Sequence, residues 1–301
     1  MDNYIFDELK KIVGEKNVLL QEPMNRHVTF RTGGKADCFV TVCEPEMVKQ
    51  TVCFLREQKV NYYIVGNGSN LLFSDRGYHG IVVKMGRYAG DLRIEGHRIV
   101  SGAGVLLSQL ANAACEAGLT GLEFAAGIPG TVGGAVVMNA GAYGGEIKDI
   151  IVSATVLNEY GEIQVLAKNE LELSYRHSII MERPFIILEA EFDLKQGEKS
   201  QIRACMDELS KKRREKQPLE YPSAGSTFKR PEGYFAGKLI EDAGLKGFRV
   251  GDAQVSEKHS GFVINRGAAT TDEILSLVKQ VQDIVYEKYG VRLEMEVRVV
   301  E

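Results

Sequence analysis

Two glycine-rich segments have the residue types and spacing of loops that bind phosphate groups. The first is Gly66-Asn-Gly-Ser-Asn-Leu71, which directly follows the β-rich run Tyr62–Val65. Its backbone N–H groups, together with the side chains of Ser69 and Asn70, could surround a phosphate as an anion-binding nest. A tight connection after a strand is the structural alternative for this loop taken alone.

The second segment is richer in glycine and harder to explain by structure alone. It reads Gly127-Ile-Pro-Gly130-Thr-Val-Gly133-Gly134 and is followed by Asn139-Ala-Gly141. Positions without a Cβ atom allow the backbone to approach a large flat or diphosphate-bearing ligand. Pro129 would fix the turn, and Thr131 and Asn139 offer hydrogen bonds. A loop-rich junction between domains is the structural alternative.

Neither segment fits the common nucleotide-binding fingerprints. The dinucleotide motif requires a third small residue for close packing of a helix on a strand, and Leu71 occupies that place in the first loop. The Gly-Lys-Ser/Thr ending of a nucleotide P-loop is also missing. The glycines are nevertheless concentrated here, since 18 of the 32 lie between Gly66 and Gly145.

The elements expected to carry the first loop alternate between strand and helix. Cys38–Val42 is a β-rich run, and Glu44–Gln58 has apolar residues at helical spacing with Pro45 in its first turn. A strand at Tyr62–Val65 then leads into Gly66. This β-α-β order favours a mixed α/β unit over residues 1–85.

The second loop lies in a block with a different pattern, predicted to span residues 86–195. A hairpin is expected around Gly96-His97, and a helix over Leu106–Ala117 is expected to end at Gly118. Further strands are predicted at Ile150–Asn158, Ile163–Leu166 and Phe185–Leu194. After a polar segment, residues 196–301 form a third block, with a helix around Ile202–Leu209 and another that starts with a capping box at Thr270–Glu273.

Composition and charge narrow the class of protein. The 301 residues include 44% hydrophobic and 26% charged residues, which is typical of globular domains. The net charge of −4 disfavours binding to nucleic acid. Five cysteines without a C-x-x-C pair and five scattered histidines indicate neither a disulfide framework nor a metal site. No signal peptide or membrane span is predicted, so we expect a soluble cytoplasmic protein without membrane insertion.

Several motifs together resemble one flavoprotein family. The chain is similar to the UDP-N-acetylenolpyruvoylglucosamine reductases, shorter class, within the vanillyl-alcohol-oxidase or p-cresol-methylhydroxylase (PCMH-type) FAD-binding superfamily. The segments that carry this resemblance are His27–Gly34, Gly66–Leu71, Gly127–Gly134, Tyr175–Ser178, Gly225–Pro231 and Glu294–Arg298. The resemblance implies an α+β fold in which two FAD-binding subdomains, residues 1–85 and 86–195, precede a C-terminal α+β substrate-binding domain, residues 196–301.

The resemblance also implies a reaction and its cofactors. NADPH would reduce FAD, and the flavin would then pass a hydride to UDP-N-acetylglucosamine enolpyruvate, giving ping-pong kinetics in peptidoglycan precursor synthesis. No histidine lies in the first glycine loop, so the FAD is expected to be non-covalent. The partners implied are NADPH and the UDP-sugar, and no obligate protein partner is evident. The residues expected to bind FAD are Gly66, Asn67, Gly68, Ser69, Asn70, Leu71, Gly127, Ile128, Pro129, Gly130, Thr131, Gly133, Gly134, Asn139 and Gly141.

The family match assigns catalytic roles to three residues outside the glycine loops. Arg176 would bind the substrate carboxylate and Ser226 would donate the proton, whereas a salt-bridge arginine and a turn serine are their structural alternatives. Glu296 would stabilise the enol intermediate or help protonation. It lies on a predicted last strand, Glu294–Val300, whose strict alternation places Glu294, Glu296 and Arg298 on one face, so a solvated strand face is its alternative. Tyr175, Lys229 and Arg230 are expected to contact the substrate.

Two other functions stay open at this point. A flavin-dependent oxidase of the same superfamily would use oxygen as acceptor and a different substrate. A non-catalytic nucleotide-binding protein would use the glycine loops alone, but it leaves Arg176, Ser226 and Glu296 unexplained as a set.

Overall fold

The computed structural model describes residues 3–88 and 90–301, which form eight α-helices and eighteen strands. The helices are α1 (Asn3–Val13), α2 (Pro45–Glu57), α3 (Leu107–Glu116), α4 (Val132–Val137), α5 (Ile147–Ile150), α6 (Lys199–Lys216), α7 (Ala236–Asp242) and α8 (Thr271–Tyr289). The strands are β1 (Val18–Pro23), β2 (Lys35–Val42), β3 (Tyr62–Val65), β4 (Leu71–Phe73), β5 (Tyr78–Met85), β6 (Leu92–Glu95), β7 (Arg98–Gly102), β8 (Leu119–Thr120), β9 (Gly141–Ala142), β10 (Gly145–Glu146), β11 (Ile151–Leu157), β12 (Ile163–Ala167), β13 (Ile186–Asp193), β14 (Lys195–Gln196), β15 (Arg249–Val250), β16 (Ala253–Val255), β17 (Val263–Asn265) and β18 (Arg298–Val300). This mixture confirms the predicted α+β class.

The chain divides into two compact units, each built from three segments. The first unit contains the chain up to Leu19, then Cys38–Asn67 and Gly80–Arg213. The second contains Leu20–Asp37, Gly68–His79 and Arg214–Glu301. Each unit has its own buried apolar core. The division into domains 1–85, 86–195 and 196–301 stays a prediction.

The first unit contains a five-stranded antiparallel sheet in the order β12-β11-β13-β7-β6. The predicted hairpin is its edge, where Glu95 pairs with Arg98 across Gly96-His97 and Gly96 adopts a φ of 62°. The other predicted strands of the second block are confirmed as β11, β12 and β13. In a second sheet β3 runs parallel to β5, with Tyr62 opposite Ile81, so β3 ends where the first glycine loop begins.

The predicted helices are confirmed with their end signals. Helix α2 has Pro45 in its first turn and buries Val48, Val52 and Leu55, which are three or four residues apart and therefore lie on one face. Helix α3 is followed by Gly118 in the left-handed conformation, with a φ of 69°. Helix α8 begins with the expected capping box: the Glu273 N–H donates to Thr270 Oγ1 and the Thr270 N–H donates to Glu273 Oε2, each at 3.1 Å.

In the second unit the predicted last strand is wrong in extent. Regular strand covers only β18 (Arg298–Val300), whereas Met295 forms an isolated antiparallel bridge with Phe228 and the chain bends at Val297. The physical reason is a change of partner, because β18 pairs in parallel with β4 instead. Within the predicted strand the buried residues are Val297 and Val300, which are three positions apart, so strict alternation is lost.

Candidate functional site

The structure joins the start of the first glycine loop to the second glycine loop within the first unit. A Cβ atom on Gly66 would clash with Thr131 Oγ1, so only glycine fits there. The side-chain amide of Asn67 donates a hydrogen bond of 2.6 Å to the Pro129 carbonyl. These contacts bring together two segments that the sequence assigned to one ligand.

The remainder of the first loop belongs to the second unit and supports its last segment. Asn70 accepts a hydrogen bond from the Arg298 N–H at 3.0 Å, and its side-chain amide donates to the Glu296 carbonyl at 3.1 Å. Gly68 has a φ of 62°, and a Cβ atom on it would clash with the His27 carbonyl. The loop continues into strand β4, which explains why the helix-forming dinucleotide motif does not apply.

The second glycine loop leads into helix α4 and is closely packed. Thr131 caps this helix by accepting a hydrogen bond from the Gly134 N–H at 3.4 Å. Gly133 donates to the Ala103 carbonyl at 2.9 Å, and a Cβ atom on Gly133 would lie 2.9 Å from Ala103 Cβ. At Gly134, by contrast, the nearest atom to such a Cβ is 3.6 Å away. Close packing within the protein thus explains the glycine at position 133, whereas a Cβ atom at position 134 would meet no close protein atom.

Backbone N–H groups of both loops fit an anionic ligand. Among the described residues, no protein acceptor receives a hydrogen bond from the N–H of Asn67 or of Gly130. Neither residue is fully buried. One such N–H group lies on each loop, and backbone N–H groups can donate to the oxygens of phosphate groups, so the loops are compatible with the FAD diphosphate.

Asn139 is fully buried and connects the second loop to the segment that carries Tyr175 and Arg176. Its side-chain amide donates to Glu146 Oε2 at 2.7 Å and to the Ser174 carbonyl at 2.9 Å. Its Oδ1 accepts from the Lys148 N–H at 2.8 Å. Asn139 also has a positive φ of 40°, which its side-chain hydrogen bonds hold in place. The side chain therefore positions neighbouring backbone.

Arg176 lies at the tip of a tight turn in the first unit. Ser174 and His177 exchange two backbone hydrogen bonds of 3.2 Å, which leaves Tyr175 and Arg176 as the central residues. Arg176 adopts a φ of 56°, an uncommon conformation for a residue with a Cβ atom. Its guanidinium carbon is 5.0 Å from the centroid of the Tyr175 ring, and Tyr175 is 50% exposed. The turn presents a cation and an aromatic ring together.

Ser226 and Glu296 are brought onto adjacent backbone segments of the second unit. The Glu296 N–H donates to the carbonyl of Thr227, the residue after Ser226, at 2.8 Å. Thr227 is itself fixed, because its N–H donates to the Gly261 carbonyl at 2.9 Å and its Oγ1 accepts from the Val263 N–H at 2.9 Å. A rigid backbone therefore carries both candidate catalytic side chains.

The two candidate substrate cations beyond Ser226 have contacts within the same unit. Lys229 forms an ion pair of 3.2 Å with Glu294. The guanidinium carbon of Arg230 lies 4.0 Å from the centroid of the Phe235 ring. Both cations are near the surface, where such contacts contribute little to stability, so a ligand could replace them at small cost.

Arg213 is a residue of this region that the sequence did not single out. Its Nη1 donates a hydrogen bond to the Gly127 carbonyl, at the start of the second loop. The sequence places it among the cations that end helix α6, where they complement the helix dipole. One signal was available: Arg213 follows buried Met206 by seven residues and therefore lies on the same helix face.

Neither a metal site nor a membrane span is found in the part of the chain that the structure covers. No group of three His, Cys, Asp or Glu side chains among the described residues could hold a metal ion. Within the same residues, every helix is too short or too polar to cross a bilayer.

Family models and individual relatives both match this chain, and they indicate the same family. Residues 217–300 match the model of the UDP-N-acetylenolpyruvoylglucosamine reductase C-terminal domain, and residues 36–167 match that of an FAD binding domain. The UDP-N-acetylenolpyruvoylglucosamine reductase of Caldanaerobacter subterraneus subsp. tengcongensis is 49% identical over 300 residues, which are 100% of this chain and 99% of the relative. The enzyme of the same name from Clostridium botulinum (strain Hall) is 51% identical over 298 residues, covering 99% of this chain and 97% of the relative.

A solved structure gives the same result for the fold. The crystal structure of UDP-N-acetylenolpyruvylglucosamine reductase from Thermus caldophilus superimposes with a TM-score of 0.80 at 36% sequence identity. The match covers 94% of this chain and 98% of that protein.

Proposed function

The chain belongs to the UDP-N-acetylenolpyruvoylglucosamine reductase family of FAD-dependent oxidoreductases, and we propose that it reduces UDP-N-acetylglucosamine enolpyruvate to UDP-N-acetylmuramate with NADPH. The product is a precursor of peptidoglycan, and the proposed site of action is the cytoplasm. The observation that carries this proposal is the pairing of Ser226 and Glu296 through the Thr227 backbone, inside the segment that matches the reductase C-terminal domain.

The two glycine loops would hold FAD without a covalent bond. Their available N–H groups, at Asn67 and Gly130, suit the diphosphate, and the close packing of Gly66 on Thr131 fixes the loops relative to each other. When bound, FAD would supply the hydride-transfer chemistry between NADPH and the alkene of the substrate.

Arg176 would bind the carboxylate of the enolpyruvyl group. A guanidinium is permanently charged and can bind a carboxylate through two parallel hydrogen bonds. The same charge would stabilise the negative charge that develops next to this carboxylate when the alkene is reduced. Tyr175 would pack against the substrate beside it. The strained φ of Arg176 supports a functional role, because such strain is concentrated at binding sites.

Ser226 would donate the proton that completes the reduction. A serine hydroxyl is a weak acid, but a carbon-centred enolate is a strong base, so transfer is favourable once the hydroxyl is held close to it. Glu296 would stabilise the enol intermediate. Lys229 and Arg230 would contribute positive potential toward the diphosphate of the UDP-sugar, and release of NADP⁺ before this substrate binds would give ping-pong kinetics.

The absorption spectrum of the purified protein and its two half-reactions test the proposal. We expect a flavin spectrum that NADPH bleaches without oxygen and that UDP-N-acetylglucosamine enolpyruvate restores. A protein that is colourless and cannot be reconstituted with FAD would contradict the proposal at its first step. Rapid reoxidation by oxygen with no response to the UDP-sugar would instead indicate a flavin oxidase, and ligand binding without NADPH oxidation would indicate a non-catalytic protein.

A further inference from the structure

Arg213 packs directly on the start of the second glycine loop, a contact that the sequence did not indicate. The side chain extends from the last turn of helix α6, and its Nη1 donates a hydrogen bond to the Gly127 carbonyl. A Cβ atom on Gly127 would lie 3.1 Å from Arg213 Nε and 3.2 Å from its Cδ. Glycine at position 127 therefore allows the Arg213 side chain to approach the loop backbone closely.

The charge of Arg213 is not neutralised by an acidic residue. Other arginines of the first unit pair with carboxylates, such as Arg93 with Glu189 at 3.0 Å and Arg98 with Glu191 at 2.6 Å. Among the described residues, no Asp or Glu lies within ion-pair distance of Arg213.

Its surroundings make this unpaired charge costly to keep. Burial lowers the pKa of the Arg213 guanidinium, and the Tyr143 hydroxyl, a neutral partner, raises it. A partly desolvated cation without an acidic partner reduces stability unless a ligand uses it. The arrangement therefore points to a negatively charged ligand nearby.

The loop that Arg213 contacts has its carbonyl groups held by the protein. Besides the Gly127 carbonyl, the Pro129 carbonyl accepts from the Asn67 side chain at 2.6 Å, and the Gly130 carbonyl accepts from the Leu107 N–H at 3.0 Å. In a trans peptide the C=O and the following N–H point in opposite directions. Fixing the Pro129 carbonyl therefore turns the Gly130 N–H away from Asn67, where no protein acceptor among the described residues takes it.

We propose that Arg213 is a positioning residue for the cofactor, which fixes the Gly127 carbonyl and adds a positive charge beside the loop that favours a nucleotide diphosphate. The proposal rests on the proposed function, in which that ligand is FAD. The Arg213 side chain would make two contributions to FAD binding: its hydrogen bond shapes the loop, and its charge attracts the diphosphate.

Titration of FAD into flavin-free, full-length protein, followed by quenching of flavin fluorescence, tests the proposal. We expect Arg213→Gln, which keeps a donor but loses the charge, to raise the Kd for FAD about tenfold or more. Arg213→Lys keeps the charge without the planar fork and should raise Kd by a smaller factor. The matched control is Lys212→Gln, since Lys212 is exposed in the same turn and pairs with Glu208 at 2.6 Å, and its Kd should stay within about twofold of the wild type.

Salt dependence separates the charge from a merely structural role. The Kd of the wild type and of Arg213→Lys should rise with sodium chloride, because salt screens the attraction between the guanidinium or ammonium and the diphosphate. The Kd of Arg213→Gln should rise less steeply. Loss of loop structure alone would weaken binding equally at all salt concentrations.

Two outcomes would overturn the proposal. One is an Arg213→Gln protein that binds FAD with the wild-type Kd at low salt, and the other is an unchanged salt dependence in that variant. Near-UV circular dichroism shows whether Arg213→Gln folds. If it does not, an Arg213→Lys protein that binds FAD with the wild-type Kd would contradict the proposal that the planar guanidinium positions the loop. A wild-type protein that fails to bind FAD would contradict the proposed function itself, which keeps the two failures distinct.

Discussion

The two candidate functional regions differ in whether main-chain groups or side chains would carry the function. In the first unit, the glycine loops offer backbone N–H groups, and residues such as Gly66 and Gly133 are fixed by close packing on their neighbours. In the second unit, Ser226 and Glu296 are side chains on short paired segments, where the Thr227 backbone supplies the rigidity. One region would bind a cofactor through main chain, and the other would carry chemistry through individual side chains.

The two kinds of site should respond differently to amino-acid substitutions. A backbone site depends on geometry, so adding one methyl group at a packed glycine can disrupt it while most polar substitutions nearby do little. A side-chain site depends on single functional groups, so removing one hydroxyl can abolish a reaction step and leave the fold intact. The predictions below separate the two cases by measuring both binding and stability.

The largest effect is expected at Ser226. Replacing Ser226 by Ala removes the proposed proton donor, which should slow reoxidation of the flavin by the UDP-sugar by a factor of about 10² to 10⁴. Reduction by NADPH and the free energy of unfolding should stay near their wild-type values, since the backbone of Thr227 holds the segment. Stopped-flow absorbance of each half-reaction checks this prediction.

The matched control is Ser223, which lies three residues before Ser226 in the sequence. Ser223→Ala should leave both half-reactions within about twofold of the wild type, because Ser223 is only half-buried and is assigned no part in the reaction. Equal losses in both half-reactions of Ser226→Ala would remove Ser226 from the proton-donor role.

The glycine loops should respond through packing. At Gly66 an added methyl group meets Thr131 Oγ1, so Gly66→Ala should lower the free energy of unfolding by about 1–3 kcal/mol and reduce bound flavin. At Gly134 the methyl group has room in the protein, with the nearest atom 3.6 Å away, so Gly134→Ala should not destabilise the fold. Urea unfolding and FAD titration of both variants measure these effects.

The paired glycine variants also identify where the ligand approaches. Weaker FAD binding in Gly134→Ala, at unchanged stability, would show that the cofactor requires the missing Cβ at that position. Wild-type FAD affinity in Gly134→Ala would contradict the prediction that Gly134 binds the cofactor, and unchanged stability in Gly66→Ala would contradict the packing explanation.

The smallest effect concerns pH and belongs to the second unit. Burial lowers the pKa of His259, whose Nδ1 accepts a hydrogen bond from the Gly261 N–H at 3.1 Å and whose ring lies 4.8 Å from that of Phe262. Since its pKa is lower in the folded state than in the unfolded state, the unfolded chain takes up the proton first as pH falls. Stability is therefore lost as pH drops below the unfolded value of about 6.5.

Unfolding in urea at several pH values measures this contribution. His259→Gln should lose less stability than the wild type between neutral and mildly acidic pH, while its Kd for FAD should stay unchanged because the glycine loops of the first unit carry the cofactor. A variant with the same pH dependence as the wild type would show that His259 does not contribute.

The sequence predicted the regular elements well and individual side-chain contacts poorly. Helix α2, the hairpin at Gly96-His97 and the capping box of α8 follow from local spacing and capping, which act over a few residues. The last strand was wrong because a segment that changes partners, from Phe228 to β4, cannot be recognised from its own alternation. Arg213 was missed because its contact with Gly127 joins residues far apart in sequence.

The candidate site shows the same limit. The loops were detected by their glycine content, but only the resemblance to a family singled out Arg176, Ser226 and Glu296, since one arginine, serine or glutamate has no compositional signal. The hydrogen bonds of Asn139 with Glu146 and Ser174 are likewise tertiary contacts that spacing cannot reveal, and its predicted role in FAD binding stays a prediction.

The parallel pairing of β4 with β18 has a consequence for how the protein is made. Asn70 and Glu296, which it brings together, are 226 positions apart. Strand β4 is synthesised early and waits with an open edge until β18 leaves the ribosome, and contacts so distant in sequence form slowly. The second unit therefore completes its fold only once β18 has been synthesised, and nascent chains paused before that point would expose an edge through which they can aggregate.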